Sequence, residues 1–88
     1  MAGEQKLQSR IIDDLEKKGW IVVKTITLSK NGYPDIFAFR SGTTIFIEVK
    51  SEQGKATELQ KYRIEQLKQA GFNAEIINSF EQYKQLIL

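Results

Sequence analysis

Pro34-Asp35-Ile36-Phe37-Ala38-Phe39-Arg40-Ser41-Gly42-Thr43-Thr44-Ile45-Phe46-Ile47-Glu48-Val49-Lys50 decides how this chain folds. Two runs rich in Ile, Phe, Val and Thr flank a Ser-Gly pair, which signals a β-hairpin. With Ser41 and Gly42 as the loop, Arg40 pairs with Thr43, and counting back along both strands sets Asp35 opposite Glu48. Side chains alternate faces along a strand, so Asp35, Phe37, Phe39, Phe46, Glu48 and Lys50 share one face. A one-residue bulge at the turn would shift that register.

Carboxylates opposed across a strand pair lie roughly 5 Å apart. Their repulsion is on the order of 3 kcal/mol at an effective dielectric of about 20. A sheet selected only for stability avoids that arrangement. A divalent cation between the two groups turns repulsion into ligation, and oxygen-only donors favour Mg²⁺ or Mn²⁺ over Zn²⁺. Lys50, two residues past Glu48 on the same face, adds positive charge beside such an ion. The plainer alternative is a solvated strand end, and the apolar neighbours on both strands argue against it.

The 88 residues suit a single domain, 1–88, with a modest core. Neither Cys nor His occurs, which removes disulfides, thiolate or imidazole metal sites, Cys nucleophiles and His general bases. Catalysis must then use carboxylates, Lys, Tyr, Ser/Thr or a metal held by oxygen. No apolar run is long enough to span a membrane and no signal-peptide core is present, so no membrane partner is expected and the reading is intracellular, cytoplasmic. The net charge is only +2, from 13 basic and 11 acidic side chains. Setting aside Lys50 with Glu4, Asp35 and Glu48 leaves 12 and 8, a basic surplus that suits a phosphate-binding surface around an acidic centre.

Outward from the hairpin, residues 3–18 read as an amphipathic helix with Leu7, Ile11 and Leu15 as its buried stripe and Gly19 as its stop. Glu4 is in phase with that stripe, either as a solvated helix-start acid or as a carboxylate aimed into a site. Residues 20–28 read as a strand, its first half apolar on both faces and therefore covered on both sides. Residues 29–33 form a turn, where Lys30 and Asn31 could touch a phosphate backbone, although exposed turns carry such residues by default. After a polar loop over 51–56, Thr57-Glu58-Leu59-Gln60 fits a capping box opening a helix to Ala70, with Leu59, Ile64, Leu67 and Ala70 as its apolar arc. Gln60 and Arg63 fall inside that arc. Residues 72–77 form a strand that crosses over right-handed and runs parallel to the second hairpin strand. Ser79-Phe80-Glu81-Gln82 is a second capping box, opening a last helix in which Phe80, Tyr83, Leu86 and Ile87 are packing residues. The fold class is α/β (α+β), order α-β-β-β-α-β-α, a mixed four-stranded sheet flanked by helices.

Pro34-Asp35 followed by Glu48-Val49-Lys50 resembles the PD-(D/E)XK nuclease motif. The surrounding residues Gly32-Tyr33-Pro34-Asp35, Phe46-Ile47-Glu48-Val49-Lys50, Gly54-Lys55, Gln60 and Gly71 are similar to its VRR-NUC (virus-type replication-repair nuclease) branch, over nearly the whole chain. The resemblance implies a restriction-endonuclease-like fold and a Mg²⁺- or Mn²⁺-dependent endonuclease that hydrolyses DNA phosphodiesters. Asp35 and Glu48 would hold the metal with the backbone carbonyl of Val49. Lys50 would position or deprotonate the attacking water, or offset charge in the transition state. The resemblance also turns Glu4 towards the site and sets Gln60 beside it, in competition with the capping box for one side chain. Stand-alone domains of this type look like homodimeric resolvases of four-way (Holliday) junctions in replication, recombination or repair, which sets the expectation of a homodimer acting on branched DNA. The alternative is a non-catalytic DNA-binding or assembly module. Such a module would be expected to lose Asp35, Glu48 or Lys50, and all three are present.

Overall fold

The computed structural model describes residues 2–87, so Met1 and Leu88 of the expected 1–88 domain lie outside the described residues. Helix α1 spans Ala2–Lys17, followed by strands β1 (Ile21–Lys24), β2 (Ile36–Arg40) and β3 (Thr43–Val49), helix α2 (Glu58–Gln69), strand β4 (Asn73–Ile77) and helix α3 (Phe80–Leu86). The four strands form one sheet in the order β1-β2-β3-β4. The first three are antiparallel neighbours and β4 runs parallel to β3, which is the mixed sheet and element order expected.

The hairpin register is the one its turn dictates. Arg40 pairs with Thr43 and Ile36 with Ile47, with Ser41 at φ 51° and Gly42 at φ 79°. Two successive positive φ values match the twist of the flanking strands. The period-2 alternation then splits the sheet. Ile36, Ala38, Ile45, Ile47 and Val49 face Ile11, Leu15, Trp20, Ile77 and Tyr83 in the core under α1 and α3. Phe37, Phe46 and Phe72 stack edge-to-face on the other side, which α2 covers only in part. The buried Tyr83 hydroxyl donates to Asp14 at 2.6 Å, tying α3 to α1. Both α1 and α2 end on a glycine at positive φ, Gly19 and Gly71. The next residue donates back into each helix, Trp20 to Leu15 and Phe72 to Leu67, satisfying carbonyls that a helix end otherwise orphans.

Three expectations need correction. The first strand covers only Ile21–Lys24 and is an edge strand with Ile21 and Val23 exposed. Its apolar residues on both faces do not mean two covered faces. Just past the strand, the Thr25 N–H donates to the Asp35 carbonyl at 2.7 Å, one step on in the same register, and the Thr25 hydroxyl donates to the Pro34 carbonyl at 2.9 Å. These two bonds lash this segment to the start of β2. The apolar arc of α2 is narrower than expected: Ile64 is buried and Leu67 half-buried, whereas Leu59 and Ala70 are exposed. Leu59 instead lies over Gly32, where a Cβ would come within 2.6 Å of its Cγ. In the second capping box, Ser79 Oγ accepts from Gln82 N–H at 3.2 Å. The returning Gln82 side chain takes the N–H of Asn78 at 2.6 Å, not that of Ser79.

Candidate active site

Asp35 stands one residue ahead of β2, behind the buried Pro34, while Glu48 lies at the end of β3 and Lys50 directly follows it. Extending the register Ile36–Ile47 by one step sets Asp35 beside Glu48. The Val49 N–H donates to Asp35 Oδ2 at 3.0 Å, so the β3 backbone fixes the orientation of that carboxylate. Thr25 fixes the backbone on the other side through its bonds to Pro34 and Asp35.

Glu48 is 3% exposed. Burial and then the neighbouring Asp35 charge push its carboxyl up to about 7, against a smaller opposing pull from Lys50. Burial also raises Asp35, which the Val49 N–H counteracts. Burial and the Asp35 charge act on Glu48 in the same direction, so the pair favours uptake of a proton. A carboxyl that is buried beside a second acid, and raised by both, is an arrangement common at functional sites. Lys50 Nζ lies 3.5 Å from Glu48 Oε2, its side chain only 15% exposed. One cation thus sits against two acids.

The remaining expected residues fare differently. The Glu4 charge reaches Asp35 and raises it. Among the described residues, however, no group of three carboxylates converges as a metal cage. Glu4 is therefore brought near the pair but not into a ligand cluster with it. Gln60 sits in the capping box: its Oε1 accepts from Thr57 N–H at 2.9 Å, and Thr57 Oγ1 accepts from Gln60 N–H at 3.1 Å. That engagement occupies its carbonyl oxygen and leaves the amide nitrogen for any further contact.

Sequence reasoning passed over the clamp that holds the Asp35 approach segment. Arg63 Nε donates to the Asn31 carbonyl at 3.1 Å, and its guanidinium stacks over the Tyr33 ring at 4.5 Å. The Tyr33 hydroxyl donates to Gln66 Oε1 at 3.1 Å. Together with Leu59 over Gly32, these contacts pin residues 31–34 to α2. The signal was Arg63 inside an otherwise apolar arc, a cation with a reason to face inward. Lys30 and Asn31 are exposed in this turn.

The model of the archaeal Holliday junction resolvase (Hjc) family matches residues 3–76. The chain belongs to the Hjc family. Two solved structures share its architecture. A "VRR_NUC domain" is 29% identical, with a TM-score of 0.86 over 97% of this chain and 94% of its own. A "VRR_NUC domain protein" is 21% identical, with a TM-score of 0.72 over 94% and 88%, a likeness of fold. No curated protein matches. The resemblance to VRR-NUC domains and the restriction-endonuclease-like expectation therefore hold at the level of family and fold, and the Hjc match makes this a nuclease-family domain. The match spans α1 through most of β4, and so includes Glu4, Asp35, Glu48, Lys50 and Gln60.

Proposed function

We propose that this chain is a Mg²⁺- or Mn²⁺-dependent endonuclease that cleaves four-way DNA junctions as a homodimer. The observation that carries the reading is the buried Glu48 beside the half-buried Asp35, whose Oδ2 is held by the Val49 N–H at 3.0 Å, with Lys50 Nζ 3.5 Å from Glu48 Oε2, in a chain of the Hjc family.

The donor set fits a hard divalent ion. The chain offers no imidazole or thiolate ligand, having no His and no Cys, and two neighbouring acids form a place where positive charge is stabilising. Asp35, Glu48 and the Val49 carbonyl would hold the ion, with Glu4 nearby through water. Bound there, it would supply Lewis acidity, lowering the pKa of water and offsetting charge on the scissile phosphate.

The chain's own groups do the rest. The Val49 N–H holds Asp35 Oδ2 in place, so the acid needs no reorganisation when substrate arrives. Lys50 Nζ, restrained by Glu48, donates hydrogen bonds to the attacking water or to a phosphate oxygen. The water oxygen attacks phosphorus, one P–O ester bond breaks, and the proton lost by the water is taken up at the site. Burial around Glu48 keeps bulk water from screening these charges.

A two-fold dimer suits the substrate because a single small domain offers little surface for grasping a duplex, while specific protein–DNA interfaces bury roughly 1,000–2,500 Å² of protein surface. Two copies present two centres, one for each strand of a symmetric junction. Incubating the protein with an end-labelled immobile four-way junction in Mg²⁺ tests the reading. Paired, symmetric nicks are expected, with light scattering giving twice the 10.1 kDa chain mass. A monomer that cuts a flap and leaves the junction intact overturns the junction and dimer assignments. No cleavage of any DNA overturns the nuclease reading.

A further inference from the structure

Just beyond the acid pair, strands β3 and β4 end at Val49 and Ile77, which are partners in the parallel register. The pairing runs one step further, since the Lys50 N–H donates to the Ile77 carbonyl at 2.9 Å. After that bond the side chain of Asn78 takes over. Its Nδ2 donates to the Ser51 carbonyl at 2.9 Å and to the Gly54 carbonyl at 3.0 Å. Only the nitrogen end of an amide can face two carbonyl oxygens, and each of its two protons here has an acceptor.

The loop held in this way is closed on itself. The Gly54 N–H donates to the same Ser51 carbonyl at 2.9 Å, and a Cβ at Gly54 would stand 2.9 Å from Ser51 Oγ. Asn78 is anchored in turn, its N–H donating to Gln82 Oε1 of α3 at 2.6 Å. Consecutive residues, Ile77 and Asn78, therefore fix consecutive residues, Lys50 and Ser51. From this backbone hangs the Lys50 side chain, whose Nζ reaches Glu48 Oε2 at 3.5 Å. A lysine carries its charge on a flexible four-carbon stem, so the place of its ammonium depends on how firmly its Cα is held. Asn78 lies past residue 76, where the Hjc match ends.

We propose that Asn78 is a positioning residue for Lys50: by clamping the Ser51 and Gly54 carbonyls, it fixes the backbone from which the Lys50 ammonium is aimed into the site. The proposal rests on the nuclease reading above. Asn78 acts on turnover through Lys50 alone. Asp35 is held by separate contacts, from the Val49 N–H and from Thr25, so loss of the clamp leaves the two acids in place.

The test combines cleavage kinetics on a labelled four-way junction in Mg²⁺ with amide hydrogen exchange in chelator. Asn78→Ala removes both donors, and Asn78→Leu removes them while keeping the side chain's bulk. Ser79→Ala deletes the N-cap of α3 and keeps the Asn78 amide, so it controls for lost stability. Both Asn78 variants should lose about tenfold or more in kcat, with KM within about twofold of wild type. Exchange at the Lys50 and Gly54 N–H groups should quicken by about tenfold or more, while Ala38 in the middle of β2 changes only as global stability does. Mn²⁺ affinity by calorimetry should be unchanged. Ser79→Ala should keep both kinetic constants. If Asn78→Leu does not fold, Asn78→Ala reads the same outcomes. Wild-type kcat in the folded Asn78 variants overturns the positioning role. So does an equal loss of kcat in Ser79→Ala, which traces the effect to a loosened α3. Unchanged exchange at Lys50 and Gly54 overturns the clamp, and does so without reference to cleavage. A wild type that cleaves no DNA overturns the nuclease reading and, with it, the role of Asn78 in turnover.

Discussion

Replacing Glu48 by Gln in metal-free protein isolates the electrostatic cost built into the carboxylate pair. The folded-state pKa of Glu48 is about 7, against an ordinary value of 4.5. Its folded pKa is raised, so the native state binds a proton that the unfolded chain has released. The stabilising contribution is therefore complete below pH about 4.5 and is lost as the pH rises through about 7. The gap between those values corresponds to on the order of 3 kcal/mol. For a domain of this size that is a fall in Tm on the order of 10–20 °C. Asp35, also raised by burial, acts in the same direction. Thermal unfolding in chelator from pH 4.5 to pH 8 measures the effect. Wild type should lose stability across this window. Glu48→Gln, which keeps the shape and removes the charge, should flatten the curve and be the more stable protein at pH 8. Adding Mg²⁺ at pH 8 should stabilise wild type and not the variant. A wild-type curve that is flat or rises over this window, or a Glu48→Gln protein less stable than wild type at pH 8, refutes the strained-pair argument.

The other predictions concern single side chains around the same centre. Asp35→Asn should abolish metal-dependent cleavage and raise Tm in chelator, because the amide oxygen can still accept from Val49 N–H while one opposed charge is gone; lower stability in chelator would contradict it. Lys50→Ala should lose turnover but retain Mn²⁺ binding by calorimetry, since an ammonium is not a ligand. Gln60→Ala removes half of an observed capping box and should cost on the order of 1 kcal/mol by denaturant melts; if its amide nitrogen also serves the site, cleavage will fall further than that stability loss accounts for. Arg63→Ala should release the turn from α2 and lower kcat more than it raises KM, with partial rescue by Lys; a pure stability loss at full kcat would reduce the clamp to scaffolding.

The hairpin was legible because three local signals agreed: a Ser-Gly pair able to adopt positive φ, alternating apolar residues on both sides, and carboxylates only at the far end. Agreement of that kind fixes a register, and with it the pairing of Asp35 and Glu48. The element order was legible for the same reason, from glycine stops after α1 and α2 and Thr/Ser caps before α2 and α3. The first strand was misjudged because apolar composition does not say which edge of a sheet a strand occupies. Ile21 and Val23 are apolar and exposed, and only the topology, with β1 outermost, decides that. Leu59 looked like core for a similar reason: its periodicity is helical, but its contact is Gly32, 27 positions earlier in the chain. The Arg63 clamp was hidden because a cation–aromatic stack between residues 30 positions apart leaves no periodic trace.

Those long-range contacts share a purpose that the sequence did not display. Setting a buried and a half-buried carboxyl side by side costs folding free energy, and a flexible support would let Asp35 swing away into water and relieve the strain. Every contact on its approach segment opposes that escape. Thr25 holds the Pro34 and Asp35 carbonyls, Val49 N–H holds the carboxylate, and Arg63 with Tyr33 holds the turn before it. Glu48, on the central strand β3 between two hydrogen-bonded neighbours, has no comparable freedom. The scaffold is stiff where the charges are most unfavourable, so the strain is retained in the folded chain.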